Sequence, residues 1–294
     1  MVSSHFGIDA SRLGVLERGY RDAVRAKRTR AALIGIGVLV CVVVSALSAE
    51  VDLGKLFANI GKFTSYIGRI FLLDSGRPVW TDPVEWYWGL GKWLSLLLET
   101  VLIAYVGTAL GAIGAVLLAF LAAANLSPHP ILRSLTRRYL EFCRTFPELV
   151  FALIFVVAFG LGPLPGVLAI AIHTMGALGK LFFEVAENID MKPVEGVAAT
   201  GASWPATVRF GAVPQVLSNF VSYTLLRFEI NVRSTAVMGF VGAGGIGQDL
   251  IEAIRKFYYS DVSAILVLIV ITVSVIDTLT SYVRHRLIGL QEKH

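Results

Sequence analysis

The chain has 294 residues, of which 55% are hydrophobic and only 16% charged, and its mean hydropathy is +0.71. A soluble domain carries charge on about a quarter of its residues, so this composition excludes an ordinary soluble enzyme and predicts an all-α membrane protein. The net charge of +5 forms no continuous basic block, which argues against a nucleic-acid partner and for basic residues flanking spans in a lipid bilayer.

Residues 1–30 form a polar arm with Arg12, Arg18, Arg21, Arg25, Lys27, Arg28 and Arg30. That is long for the n-region of a signal peptide, and no cleavage site precedes the next polar stretch. The apolar run at 31–49 therefore reads as a retained first span. Residues 50–93 are polar and partly amphipathic. They end in Trp80, Trp86, Tyr87, Trp88 and Trp93, an interfacial anchor for the outer face. The second span, 94–124, carries Gly107, Gly111 and Gly114, a small-residue face that lets helix backbones approach closely. A polar loop with Pro128, Pro130, Arg133, Arg137 and Arg138 leads to a third span at 147–161. Gly162, Pro163, Pro165 and Gly166 make a tight turn before a fourth span at 167–183. A polar segment, 184–214, precedes a fifth span at 215–240. A glycine-rich stretch at 242–247, a short amphipathic piece, a sixth span at 262–283 and a basic tail, 285–294, complete the chain. Residues 31–93 thus hold the first span and its outer segment, and 94–284 form a five-span core. Cys41 and Cys143 have neither the number nor the spacing for a disulfide framework or a zinc site, and no metal-ligand cluster is present.

Lysine and arginine set the orientation. With the N-terminus in the cytoplasm, the inner segments hold the arm, Arg133, Arg137, Arg138, Arg144, Lys180, Lys192, Arg209, Arg284, Arg286 and Lys293. The outer segments hold Lys55, Lys62, Arg69, Arg77, Lys92, Arg255 and Lys256. The balance places both termini and the segment 184–214 in the cytoplasm.

That cytoplasmic segment reads Glu195-Gly196-Val197-Ala198-Ala199-Thr200-Gly201, with Pro214 thirteen residues beyond the glycine. It resembles the EAA loop of ABC importer permeases. Glu195, Gly201 and Pro214 stand in register, while Gly196, Val197 and Val213 depart from its two alanines and its leucine. The physics suits a grip for a motor domain: a short helix, ended by Gly201 in a sharp turn, and a next span started by Pro214. Further blocks resemble the phosphonate-type permeases, the PhnE family. These are Arg144-Thr145-Phe146-Pro147-Glu148-Leu149-Val150, residues 176–182 with the pair Gly179-Lys180, and residues 223–247. The last block is also similar to the methionine-type permeases. The resemblance covers about residues 90–290 and implies a type I ABC importer fold of about six transmembrane helices with cytoplasmic termini.

Gly242, Gly244 and Gly247 also spell the dinucleotide fingerprint, which requires a strand–helix βαβ unit rather than two flanking spans. With Gly245 they read instead as backbone leaving the helix near the outer face, an outer gate or a bent entry to the route. Span five carries Arg227, Glu229 and Arg233 at membrane depth, where a charge must face a partner or water. Glu229 and Arg233 are spaced for an i,i+4 pair. Arg227 and Arg233 have two readings: they line the translocation route for an anion, or they close interhelical salt bridges. Arg144 and Glu148 share the same spacing and read as a structural intramembrane pair. His173, in mid-span, reads as a buried, hydrogen-bonded histidine.

The resemblance implies a permease subunit of an importer for phosphonate or a related oxyanion such as phosphate or phosphite, in a bacterial cytoplasmic (inner) membrane. Its implied partners are cytoplasmic ABC ATPase subunits, an extracytoplasmic substrate-binding protein and a second permease subunit, identical or homologous. The chain has no Walker motif and no catalytic residues, so it is expected not to be an enzyme and to hold no cofactor; ATP and magnesium would bind the ATPase. The alternative is a secondary transporter, which would couple to ions through midplane carboxylates and often shows internal repeats.

Overall fold

The computed structural model describes residues 10–291; the first nine residues of the basic arm and Lys293 of the tail lie outside them. The chain divides into two units between Ser65 and Tyr66, a point that falls inside a helix.

The first unit holds α1 (Ala10–Ser48) and most of α2 (Leu53–Ile70). The part of α1 from Gly19 to Ser48 is long and apolar enough to cross a membrane, and none of it is buried in the protein, as suits a lipid-facing span. The turn after it is short, and Asp52 caps α2 by accepting from the Lys55 amide at 2.9 Å.

The second unit continues through α3 (Pro83–Trp86) and α4 (Leu90–Ala122) to α5 (Pro130–Thr145), α6 (Glu148–Phe159) and α7 (Pro163–Glu187). Then come α8 (Met191–Ala199), α9 (Trp204–Thr207), α10 (Val213–Met238), α11 (Ile246–Lys256) and α12 (Tyr259–Gln291). Helices α4 and α7 form the spine. A Cβ on Gly107 would sit 2.7 Å from Ile170, on Gly111 2.7 Å from Thr174, and on Gly114 2.7 Å from Met175. The glycine face expected on the second span is therefore the seam along which two backbones meet.

Four helices are long and apolar enough to cross the membrane alone: the outer part of α1, α4, α7 and α12. The expected third span differs. Helix α6 has 12 residues, about 18 Å, too short to cross by itself. It forms a pair with α5, bent by 85°. The expected polar loop is largely α5: His129 and Pro130 start it, and Thr136, Leu140 and Cys143 bury one face against α7, where Gly176 and Gly179 make room. Helix α10 is the sixth element of membrane length, with 26 residues. Its three charges keep it from passing as a plain apolar span.

Candidate functional site

Helix α8 carries the EAA-like residues. Asp190 caps it by accepting from the Lys192 amide at 3.0 Å, and Gly201 closes it with φ +81°, a left-handed conformation suited to glycine. Within α8 only Val194 is buried; it packs against Gly211, where a Cβ would lie 2.8 Å from the Val194 backbone. Glu195, Gly196, Ala198, Ala199 and Gly201 are all exposed, as is Pro214. Among the described residues, no side chain comes within 4 Å of a Cβ placed on Gly196 or Gly201. The motif thus presents a low, uncovered surface.

What holds α8 rigidly was not legible as a motif. The Gln215 side chain accepts from the Asp190 amide at 3.1 Å and donates to the Asp190 carbonyl at 3.0 Å and the Gly211 carbonyl at 2.7 Å. Trp204 donates its indole N–H to the Leu126 carbonyl at 2.6 Å. Arg137 of α5 pairs with Glu187 at the end of α7 and donates to the Ala122 carbonyl at 2.8 Å; Glu187 also accepts from the Ala124 amide at 2.7 Å. Beneath them the Phe182 and Phe220 rings stack 4.0 Å apart. The cytoplasmic ends of α4, α5 and α7 are thereby tied to one another, and α8 to the start of α10. Helix α10 begins just before Pro214, not at Gln215. It continues from a five-residue π-type turn, Val208–Ala212, whose wide ladder tolerates the proline's missing donor.

At membrane depth, the structure corrects one expected pair. Glu148 meets Arg227 at 3.7 Å, not Arg144, which is exposed. The reason is Pro147: it ends α5, so Arg144 and Glu148 lie on different helices and i,i+4 geometry does not apply. The Arg227 and Glu148 side chains are 16% and 22% exposed, and among the described residues Arg227 Nε and Glu148 Oε2 have no hydrogen-bond partner. His173 stands in the neighbouring helix with Nδ1 3.0 Å from the Phe146 carbonyl, at the elbow between α5 and α6. The second expected pair is present: Arg233 meets Glu229 at 2.6 Å, and also Asp277 of α12 at 3.5 Å. Between these charges Asn231, fully buried, donates to Thr108 and Thr174, both at 2.8 Å, and so joins α10 to α4 and α7. Sequence reading missed Asp277 and Asn231, whose partners are remote in the chain.

The glycine-rich stretch also leaves the helix, as expected, but deeper than the outer face. Gly242, Gly244 and Gly245 have φ of +82°, +86° and +76°. The Gly245 amide donates to Glu99 at 3.2 Å and the Ile246 amide to Thr100 at 2.9 Å. Glu99 lies nine residues into α4, which begins at Leu90, so this irregular backbone sits about 14 Å below the outer end of that helix. It is buried in protein there, the condition for non-helical backbone at such depth. Gly247 belongs to α11, whose backbone lies against α10: a Cβ on it would strike the Ala236 carbonyl. Helix α11 then climbs along α4, where Asp249 meets Lys92 at 2.6 Å. No strand flanks these glycines among the described residues, so the fingerprint spacing is coincidental.

Residues 115–288 match the family described as the binding-protein-dependent transport system inner membrane component. Two curated relatives add detail. One is the phosphite transport system permease protein PtxC of Stutzerimonas stutzeri, 39% identical over 67% of this chain and 71% of that protein. The other is the phosphate-import permease protein PhnE of Mycolicibacterium smegmatis, 42% identical over 66% of this chain; the match spans 36% of that longer relative. Among solved structures, an inward-facing form of the MetNI methionine ABC transporter matches with a TM-score of 0.57. At 19% identity, over 70% of this chain and 98% of that one, this likeness shows a shared fold.

Proposed function

The chain belongs to the binding-protein-dependent transport system inner membrane component family, and on that premise we propose that it is the permease of an ATP-driven importer for phosphonate, phosphite or phosphate. It is a multi-pass component of the cytoplasmic membrane. A cytoplasmic ABC ATPase grips α8, an extracytoplasmic binding protein delivers the solute, and a second permease subunit, identical or homologous, completes the route. ATP and magnesium belong to the ATPase.

The observation that carries this reading is the uncovered face of α8 on a fully braced base. Glu195 to Gly201 face outward, while Val194 and Gln215 lock the same helix to the start of α10, and Trp204 just beyond it bonds the chain that follows α4. A surface so fixed passes motion inward instead of absorbing it. Arg227 and Arg233 supply positive charge to an anion at membrane depth. Arg227 is held by a carboxylate that makes no hydrogen bond to it, a weak hold that a passing oxyanion replaces. Helix breaks at the Gly242–Gly245 end make the outer gate. The same contacts also support a purely structural role for Glu148–Arg227, which the test below separates.

Copurification of the chain with its ATPase partner, and ATP hydrolysis stimulated by loaded binding protein, test the assignment. Glu195→Arg and Gly201→Asp weaken that complex, and Arg227→Gln lowers uptake while assembly and hydrolysis persist. Ion-driven uptake by the chain alone, with no ATPase partner, overturns the importer reading; unchanged uptake by Arg227→Gln overturns the route.

A further inference from the structure

Helix α2 has no Asp or Glu in its 18 residues. Leu53, Leu56, Phe57, Ile60, Phe63 and Ile67 repeat at helical spacing along one face, and all are exposed, Phe57 by 68% and Phe63 by 66%. Lys55, Lys62 and Arg69 recur every seven residues, which places them in one stripe on the other side. Lys55 leans back on Asp52 at 3.4 Å, while among the described residues no ion pair engages Lys62. Three basic residues without an acid run against the charge bias that otherwise orients this chain, since α2 follows a span that leaves the cytoplasm.

Chain tethers fix the level of α2. Only Ala49, Glu50, Val51 and Asp52 separate it from the span α1, a reach of at most about 14 Å. Its last turn packs on the outer end of α12: Tyr66 meets the Tyr259 ring edge-on at 5.7 Å, Arg69 lies over the same ring, and Ile70 is buried. Both ends of the helix are therefore held at the outer membrane surface. Its charges keep it from crossing as a span, and standing in water it would waste its apolar face.

We propose that α2 lies in the plane of the outer headgroup layer, its apolar face in the acyl boundary and Lys55, Lys62 and Arg69 on the phosphates of anionic phospholipid. This rests on α1 crossing the membrane from a cytoplasmic N-terminus. Charge complementarity accounts for the acid-free basic stripe, and continuity with the spans at both ends selects a bilayer over a soluble partner.

The test uses the whole transporter complex in nanodiscs containing phosphatidylglycerol. In a Cys41→Ser, Cys143→Ala background, nitroxide labels at Phe57→Cys and Lys62→Cys are read by collision with oxygen and with a water-soluble nickel chelate. Oxygen access exceeds nickel access several-fold at position 57, and the order reverses at 62. Access by neither reagent at 57 means a protein covers the face, and nickel access at both means water does; either overturns the proposal. In the otherwise native chain, Lys55→Gln, Lys62→Gln and Arg69→Gln together cut the copurifying anionic lipid several-fold against zwitterionic lipid by mass spectrometry. An unchanged ratio overturns the headgroup contact. Neither readout involves transport, so each stands apart from the identity of the solute.

Discussion

Removing one partner of the Glu148–Arg227 pair should cost more than removing both. At 3.7 Å the gross attraction is about 4.5 kcal/mol for an effective dielectric of 20. The pair lacks a direct hydrogen bond at Glu148 Oε2 and Arg227 Nε, and partial exposure screens it, so the net coupling falls a little short of that, to about 4 kcal/mol, and the double variant costs about 2 kcal/mol. Glu148→Gln leaves an unpaired guanidinium at membrane depth and costs about 3 kcal/mol, or roughly 6–12 °C in apparent melting midpoint. Arg227→Met, which leaves the carboxylate, costs a similar amount. The double variant removes both charges and recovers most of the summed loss. The assay is a thermal shift of the purified complex in nanodiscs, run as a double-mutant cycle beside uptake in proteoliposomes. Stability partly returns in the double variant while uptake stays low, because the route has lost its cation. Additive losses would show that the two side chains do not interact in the membrane, and would refute the electrostatic reasoning. Full uptake in the double variant would leave only the structural role.

Three further outcomes follow from the braced end of the bundle. Gln215→Leu deletes three hydrogen bonds to Asp190 and Gly211 and lowers stability by about 2 kcal/mol; the ATPase still binds, but hydrolysis per solute imported rises in a coupled assay. Gly201→Ala meets no atom within 4 Å yet must hold φ +81°, so its cost is conformational, about 1–2 kcal/mol by chemical denaturation. Gly176→Ala places a Cβ 2.6 Å from the Arg144 amide nitrogen and 2.7 Å from the Leu140 carbonyl, both backbone, so α5 must shift away from α7. It destabilises the complex by about 1–3 kcal/mol, and a thermal shift within error of the parent would contradict the packing described.

Hydropathy runs disclosed most of the fold because lipid demands long apolar segments, and the glycines of α4 disclosed its partner face because only small residues let two helices touch. The Glu229–Arg233 pair was legible since both lie on one unbroken helix. The Arg144–Glu148 pair failed for the converse reason: Pro147 separates them, and the bend turns Glu148 toward α10. Helix α5 read as a loop because its arginines and flanking prolines mask a buried stripe of Thr136, Leu140 and Cys143. The EAA-like surface could be placed from spacing alone, but its fastening by Gln215, and the ties made by Trp204 and the Arg137–Glu187 pair, depend on partners that only folding brings together. Glu99, Asn231 and Asp277 belong to the same class, polar residues whose meaning lies in helices far along the chain.

Helix α10 is a stiff rod with a soft joint at each end. Below it the π-type turn at Val208–Ala212 gives a loosened ladder; above it the left-handed glycines interrupt the backbone. Between them 26 residues span about 39 Å and carry Arg227, Glu229, Asn231 and Arg233 as fixed cargo. A tilt of about 5° at the lower joint would swing the far end by about 3 Å over that length, without breaking a single turn of the rod. The swing would move the charges in different amounts, Arg233 more than Arg227, since it stands farther from the pivot. One small push on the cytoplasmic side can thus change the spacing of the two cations against their partners on other helices, a graded stroke from a rigid part.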